Sequence, residues 1–124
     1  MRILIAEDDK NLGYLLRNEL EGSRYTIDLA VDGVDAVLQF ISKRHDFIVF
    51  DIKMPKLDGI NALRIIKKLD PDVPAITISG NAGQGDMAES VRAGAIRCLT
   101  KPFQVSDLKE QIEKYYRDAN GNDK

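Results

Sequence analysis

The sequence predicts an α/β fold built on a doubly wound, five-stranded parallel sheet, and two observations lead to that prediction. Short apolar segments alternate with stretches of helical periodicity along the chain, which is the pattern of repeated strand–helix units. Three of the strand-like segments are continuously apolar, as strands covered on both faces should be, whereas the other two carry polar residues. Placing these two at the edges gives the strand order 2-1-3-4-5, and right-handed crossovers then put helices on both faces.

The amino-terminal half of the chain supplies three strands and two helices. The first and third strand segments are apolar apart from Arg2, and the second alternates Ile27 and Leu29 with polar residues. The strands are predicted over 2–6, 26–30 and 47–50. Apolar residues at helical spacing predict helices over 10–21 and 33–43. The residues expected to face the sheet are Leu12, Leu15, Leu16 and Leu20 in the first helix, and Val34, Val37, Leu38 and Ile41 in the second.

The carboxy-terminal half supplies two strands and three helices. Strands are predicted over 75–79, which is apolar, and over 96–100, where Arg97 indicates an edge position. Helices are predicted over 59–69, 87–93 and 106–117, and Ser106 is expected to cap the last of them. The residues expected to face inward are Leu63, Ile66 and Leu69, then Met87, Ala88 and Val91, then Val105, Leu108, Ile112, Tyr115 and Tyr116.

Composition and charge predict one soluble domain. The 124 residues are 44% hydrophobic and 31% charged, a balance that suits a globular protein with a single core. The net charge of −2 argues against binding along a nucleic-acid backbone. There is no apolar run long enough to span a bilayer and no signal peptide, so we expect a cytoplasmic protein that does not bind membranes. The single cysteine, Cys98, fits a reducing compartment.

Two further expectations concern the chain end and the one histidine. The domain is expected to cover 1–118, and the polar segment 119–124 is expected to be a flexible tail or the stump of a linker. His45 lies in the polar segment Lys43-Arg44-His45-Asp46, so we expect it to be a surface residue.

Acidic side chains follow two of the predicted central strands. Glu7, Asp8 and Asp9 come directly after strand one, and Asp51 follows the apolar part of strand three. The strand order reverses between these strands, and ligands of open α/β sheets bind at the carboxyl ends of strands beside such a switch point. Converging carboxylates need either a proton or a cation among them. Hard oxygen ligands suit Mg²⁺, so the sequence predicts a magnesium site; Asp9 is equally compatible with capping the first helix.

Asp51 can also act as a nucleophile, because a carboxylate beside a divalent cation can attack phosphorus and form an aspartyl-phosphate. Lys101 follows strand five and can reach the same sheet edge, where its charge would balance the phosphoryl group. Ser79 ends strand four between them and offers a hydroxyl to a phosphoryl oxygen. These residues predict phosphoryl transfer to Asp51.

Five segments in this order resemble the receiver domains of bacterial two-component response regulators. Four of them lie at strand ends, and the fifth is a turn. They are Ile3-Leu4-Ile5-Ala6-Glu7-Asp8-Asp9, Asp51-Ile52-Lys53-Met54-Pro55-Lys56-Leu57-Asp58-Gly59, Ser79-Gly80, Ala93-Gly94-Ala95 and Lys101-Pro102-Phe103. The resemblance covers nearly the whole chain and implies the three-layer fold shared by these receivers and flavodoxins.

The resemblance also implies a role for each site residue. Asp51 would accept a phosphoryl group from a histidine kinase or a phosphotransfer protein, and Ser79 and Lys101 would bind phosphoryl oxygens. The implied Mg²⁺ ligands are Glu7, Asp8, Asp51 and the backbone carbonyl of Lys53. The bond between Lys101 and Pro102 is expected to be cis.

The resemblance further implies a signalling module, not an enzyme. Phosphorylation would change the surface formed by helix four, strand five and helix five, and so alter binding to a downstream effector or an attached output domain. We expect a monomer or a weak dimer, with no nucleic-acid binding by these residues.

Two residues depart from the family pattern. Glu7 stands where Asp is commoner, which changes reach more than charge. Cys98 stands three residues before Lys101, where the family usually has Tyr, Phe or His. This position therefore lacks the aromatic ring whose inward rotation usually accompanies phosphorylation.

Other functions fit parts of the pattern. A haloacid-dehalogenase-type phosphatase also uses an Asp nucleophile and Mg²⁺, but Lys53 stands where its second Asp would be needed. A flavodoxin-like electron carrier shares the topology, but Glu7, Asp8 and Asp9 would repel a flavin phosphate. A non-phosphorylated pseudo-receiver that acts as a scaffold is the remaining alternative, and Cys98 leaves it open.

Overall fold

The computed structural model describes residues 1–80 and 84–119. Within these residues, five strands alternate with five helices. The strands are β1 (Arg2–Ala6), β2 (Thr26–Ala30), β3 (Phe47–Asp51), β4 (Ala75–Ser79) and β5 (Arg97–Thr100). The helices are α1 (Lys10–Leu20), α2 (Gly33–Lys43), α3 (Gly59–Leu69), α4 (Gln84–Ala93) and α5 (Val105–Ala119). These bounds agree with the predicted ones to within about three residues.

The strands form one parallel sheet in the order β2-β1-β3-β4-β5, which confirms the predicted topology. Asp51 at the end of β3 lies beside Ile78 of β4, and Ser79 lies beside Thr100 of β5. Ala6 at the end of β1 pairs with Phe50. The chain segments that leave β1, β3, β4 and β5 therefore meet at one edge of the sheet.

Each face of the sheet carries its own apolar cluster. One cluster joins the sheet to α2, α3 and α4 through Phe40, Leu63 and Ala93, among others. The other joins it to α1 and α5 through residues such as Leu16 and Ile112. Because β1, β3 and β4 are buried on both faces, their mainly apolar sequences follow directly from this three-layer arrangement.

Three of the four residues predicted to form the inward face of α2 are not buried, and only Val37 packs against the core. Val34, Leu38 and Ile41 are exposed, and the helix packs through Gly33, Ala36 and Phe40 instead. Glycine is required at position 33 because a Cβ there would overlap the backbone carbonyl of Leu57. Other residues predicted to face inward are also exposed, namely Leu15, Leu69, Met87, Ala88 and Val91.

The surface position predicted for His45 is also wrong. The residue is 2% exposed, and its Nε2 lies 2.9 Å from Asp28 Oδ2. The imidazole stacks on Phe40 with 6.1 Å between ring centroids. An apolar ring below it and a carboxylate beside it let His45 be buried within a polar segment of sequence.

The ends of α1 and α5 test three smaller predictions. Asp9 caps α1, because its Oδ1 accepts hydrogen bonds from the backbone N–H groups of Asn11 and Leu12. Ser106 does not cap α5, since that helix begins one residue earlier, at Val105. Helix α5 includes Ala119, and the rest of the predicted tail, 120–124, lies outside the described residues. None of the described helices combines the length and hydropathy needed to cross a membrane.

Candidate functional site

Glu7, Asp8 and Asp51 meet at the carboxyl edge of the sheet, as the sequence predicted. Each offers a carboxylate oxygen, and these oxygens lie within 4.8 Å of one another. Glu7 and Asp51 are each 4% exposed, whereas Asp8 is exposed. The cluster is thus buried on the sheet side and open towards solvent on the Asp8 side, where a ligand can enter.

The loop between β3 and α3 folds tightly against Asp51. The backbone N–H of Gly59 donates to the Ile52 carbonyl at 2.8 Å, and a Cβ at position 59 would overlap the Asp51 carbonyl oxygen. Asp58 caps α3 by accepting a hydrogen bond from the backbone N–H of Asn61 at 2.9 Å. Lys53, with an exposed side chain, lies within this loop, so its backbone is held close to Asp51.

Lys101 supplies the positive charge of the site. Its Nζ donates a hydrogen bond to Asp51 Oδ2 at 3.1 Å and lies 3.4 Å from Glu7 Oε1. The backbone N–H of Lys101 donates to the Ser79 carbonyl at 2.8 Å, which fixes the start of its loop on the sheet. The peptide bond between Lys101 and Pro102 is cis, as predicted.

The electrostatics of the cluster favour an added cation. Burial, a hydrogen bond shared with Asp51 and the Asp51 charge raise the pKa of Glu7 to about 7, against the opposing effects of Asp9 N–H and Lys101. Burial disfavours the Lys101 ammonium, but Asp51 and Glu7 outweigh that effect and raise its pKa. Glu7 Oε2 accepts from the Asp9 N–H at 3.1 Å, whereas the buried Oε1 accepts no hydrogen bond from the described residues. A divalent cation fits this donor set, because it would replace a proton on Glu7 and engage a buried oxygen.

Ser79 completes the group predicted from the sequence, but its hydroxyl is engaged elsewhere. It is 2% exposed, and its Oγ donates to Asp86 Oδ2 at 2.7 Å. Asp86 lies in the first turn of α4 and was not predicted as part of the site. No motif marks it; only the packing of α4 on the end of β4 brings it to Ser79.

Cys98 is buried, as expected for a small apolar side chain. It is 8% exposed and belongs to the same cluster as Ala93 and Ala95. In the sheet it pairs with Thr77, whose hydroxyl donates to Ser90 Oγ of α4 at 2.8 Å. Near the site, the hydroxyl groups of Thr77 and Ser79 in β4 therefore donate hydrogen bonds to Ser90 and Asp86 of α4.

The fold and the site together define a doubly wound α/β domain with a carboxylate–lysine centre at the switch point. The family model for the response regulator receiver domain matches residues 3–113, and the chain belongs to that family, the receiver domains of two-component response regulators. Such domains bind Mg²⁺ through acidic residues and act in signalling.

Individual relatives agree with this assignment. The chain is 35% identical to the transcriptional regulatory protein RprY of Bacteroides fragilis over 98% of its own length and 51% of that protein. It is similar to the receiver domain of Francisella response regulator 1452, with a TM-score of 0.87 and 30% identity over 95% of this chain and 98% of that one. It also resembles a chain in the CheX–CheY–BeF3–Mg complex of Borrelia burgdorferi, with a TM-score of 0.85 and 25% identity over 94% and 89% of the two chains. The chain spans about half the length of the curated relatives it matches.

Proposed function

We propose that Asp51 accepts a phosphoryl group from a histidine kinase or a phosphotransfer protein in a reaction that requires Mg²⁺. One observation carries this proposal: the Lys101 ammonium lies against both Asp51 and Glu7, in a cluster whose carboxylates approach within 4.8 Å. The arrangement places a fixed positive charge beside Asp51, at an edge that a phosphodonor can approach. An ionised carboxylate in that setting is a nucleophile towards phosphorus.

The ligands proposed for Mg²⁺ are Glu7, Asp8, Asp51 and the backbone carbonyl of Lys53. When bound, Mg²⁺ neutralises and orients the transferring phosphoryl oxygens. The Borrelia complex, which contains Mg²⁺ and a beryllium fluoride, supports this proposal by analogy.

The transfer step uses the side chains as follows. An Asp51 carboxylate oxygen forms a bond to phosphorus while the bond from phosphorus to the donor's leaving atom breaks. Lys101 then donates to a phosphoryl oxygen from its place beside Asp51, and Ser79 donates to another. The acyl phosphate is later removed by water, which returns Asp51 to its carboxylate form.

We further propose that the phosphorylated domain acts by binding and not by catalysis. In this proposal 1–118 is the receiver unit, 119–124 begins a tail or linker, and the protein is cytoplasmic. The effector would be a separate protein or an output domain attached to the same chain, since the curated relatives are about twice as long. The surface that responds is the one formed by α4, β5 and α5.

A phosphatase of the haloacid-dehalogenase type is disfavoured by Lys53. That mechanism needs a general acid two residues after the nucleophile, and position 53 carries an exposed ammonium instead. A scaffold that is never phosphorylated is the remaining alternative, and a test for the phosphoryl adduct distinguishes it from a working receiver.

The test is intact-mass spectrometry after incubation with acetyl phosphate, with Mg²⁺ and with a chelator. We expect a phosphoryl adduct on the wild-type chain only when Mg²⁺ is present, and none on Asp51→Asn. Asp72→Asn is the matched control, because it makes the same chemical change in the exposed turn before β4. A stable adduct on Asp51→Asn would contradict the proposed acceptor. A folded wild-type chain that binds Mg²⁺ but forms no adduct, even with phosphorylated donor protein, would favour the scaffold.

A further inference from the structure

The Ser79 hydroxyl is held by α4 in this structure. Its Oγ donates to Asp86 Oδ2 at 2.7 Å, and Asp86 lies in the first turn of that helix. Ser79 is 2% exposed and Asp86 is half-buried, so solvent competes poorly for this hydrogen bond. A hydrogen bond from a hydroxyl to a carboxylate is among the stronger ones in proteins.

The same hydroxyl is needed at Asp51 once that residue is phosphorylated. A serine hydroxyl has one proton to donate, so Ser79 cannot donate to Asp86 and to a phosphoryl oxygen at once. We propose, on the basis of the function proposed above, that Asp86 is a positioning residue that holds Ser79 in the resting state. Phosphorylation of Asp51 then moves the Ser79 hydrogen bond from Asp86 to the phosphoryl group and releases the first turn of α4.

A second hydrogen bond limits how much of α4 responds. The Thr77 hydroxyl donates to Ser90 Oγ at 2.8 Å, and both residues are fully buried. Thr77 faces the same helix as Ser79 but lies two residues further from the site. The change therefore affects the first turn, which contains Asp86, while Ser90 stays anchored to β4.

This link does not depend on an aromatic side chain in β5. Cys98 pairs with Thr77 in the sheet and belongs to the same apolar cluster as Ala93 and Ala95, and it has no ring that could change position. The contact from Ser79 to Asp86 connects the site to α4 directly. It gives a physical route for signalling in a chain that lacks the aromatic residue usual in its family.

The experiment measures binding of beryllium fluoride, a phosphoryl mimic, in the presence of Mg²⁺. We expect Asp86→Ala to tighten binding about tenfold, because Ser79 no longer leaves a charged acceptor. In a Ser79→Ala background the same substitution should have no effect. Asp86→Asn keeps an acceptor oxygen but loses the charge, and should fall between wild type and Asp86→Ala. Asp107→Ala, which removes an exposed acidic residue from the first turn of α5, is the matched control and should match wild type.

Three results would overturn the proposal. Equal tightening by Asp86→Ala in both backgrounds would show that Asp86 acts only through its charge, and so would identical effects of Asp86→Asn and Asp86→Ala. Unchanged binding in Asp86→Ala would show that the hydrogen bond does not oppose activation.

A second measurement separates this proposal from the proposed function. Amide hydrogen exchange of the unphosphorylated chain should speed up in the first turn of α4 in Asp86→Ala and in Ser79→Ala, with no further increase in the double variant. If these exchange effects appear but wild type forms neither a beryllium fluoride complex nor an acetyl phosphate adduct, the proposed function is wrong although the contact is real. If wild type forms both and the exchange is unchanged, only the role of Asp86 is wrong.

Discussion

The Lys101 ammonium lies 3.1 Å from Asp51 Oδ2, and this pair joins the end of β3 to the loop after β5, across 50 residues of the chain. The pair places a positive charge beside a carboxylate that is 4% exposed. It also predicts what the lysine does. In Lys101→Ala we expect Mg²⁺-dependent phosphorylation of Asp51 to remain possible, because the proposed metal ligands are intact. The conformational response should be lost, because no cation then pairs with the phosphoryl group.

The measurement for Lys101→Ala combines the acetyl phosphate adduct by mass spectrometry with the NMR spectrum of the activated state. Lys109→Ala is the control, since Lys109 is an exposed lysine of α5. A normal activated-state spectrum for Lys101→Ala would contradict the prediction.

Glu7 makes the metal-free protein less stable as the pH rises. Its pKa is about 7 in the folded chain and 4.5 as an ordinary value, so between these pH values the folded state binds more protons than the unfolded state. The free energy of unfolding should therefore fall as pH rises from about 4.5 to 7, by on the order of 2–3 kcal/mol from this group. Glu7→Gln removes the effect and should be stabilising at pH 8 relative to wild type. Urea unfolding of both proteins at pH 5 and pH 8 in chelator measures the free energy of unfolding. If that free energy changed between the two pH values by the same amount in wild type and in Glu7→Gln, the prediction would be refuted.

Mg²⁺ should stabilise the wild-type chain by binding only its folded state. The stabilisation reaches about 2.7 kcal/mol when the free ion is a hundredfold above its dissociation constant. Asp8→Asn should lose most of it without harming the fold, because Asp8 is exposed. Thermal unfolding with Mg²⁺ and with a chelator gives the comparison, and Asp72→Asn should respond like wild type. An undiminished Mg²⁺ effect in Asp8→Asn would remove that residue from the proposed ligands.

The sequence predicted those features that depend on pattern along the chain. Strand order followed from Asp28 and Arg97, since polar residues in a strand mark an edge. The meeting of Glu7, Asp8 and Asp51 followed from that order. Helix α2 was placed correctly, but its buried face was not. Apolar residues occur around the whole helix, so their spacing does not identify the face that packs on the sheet. The close approach of Leu57 selects Gly33 for that face.

Features that depend on contacts with residues distant in the chain were not predicted from the sequence. Ser79 was expected at the phosphoryl position, yet its hydroxyl binds Asp86, a residue that no motif distinguishes. His45 was expected at the surface because its neighbours in sequence are polar. Its burial depends on Asp28 and Phe40, which only the folded sheet and α2 bring to it.

Gly59 should be needed for both stability and phosphorylation. A Cβ there would overlap the Asp51 carbonyl oxygen, so Gly59→Ala must displace the loop that follows β3. We expect a loss of about 2 kcal/mol in the free energy of unfolding and slower adduct formation, because Asp51 moves with its carbonyl. Gly22→Ala is the matched control, since a Cβ at that position meets no atom within 4 Å, and it should behave like wild type. Equal behaviour of the two variants in urea unfolding and acetyl phosphate labelling would contradict the prediction.

His45 should remain neutral in the folded chain below the pH at which an exposed histidine becomes protonated. Burial lowers its pKa below 6.5, and the hydrogen bond and charge of Asp28 oppose that shift only in part. The unfolded state therefore binds more protons than the folded state just below pH 6.5, so this group's contribution to stability is lost as the pH falls through that range. Asp28→Asn removes the opposing charge and should lower the pKa of His45 further.

The chain contains one histidine, so NMR titration follows His45 without ambiguity. Asp46→Asn, a substitution beside His45 in sequence, is the control, and a His45 pKa that is at or above 6.5, or that Asp28→Asn does not lower, would contradict the burial of a neutral ring.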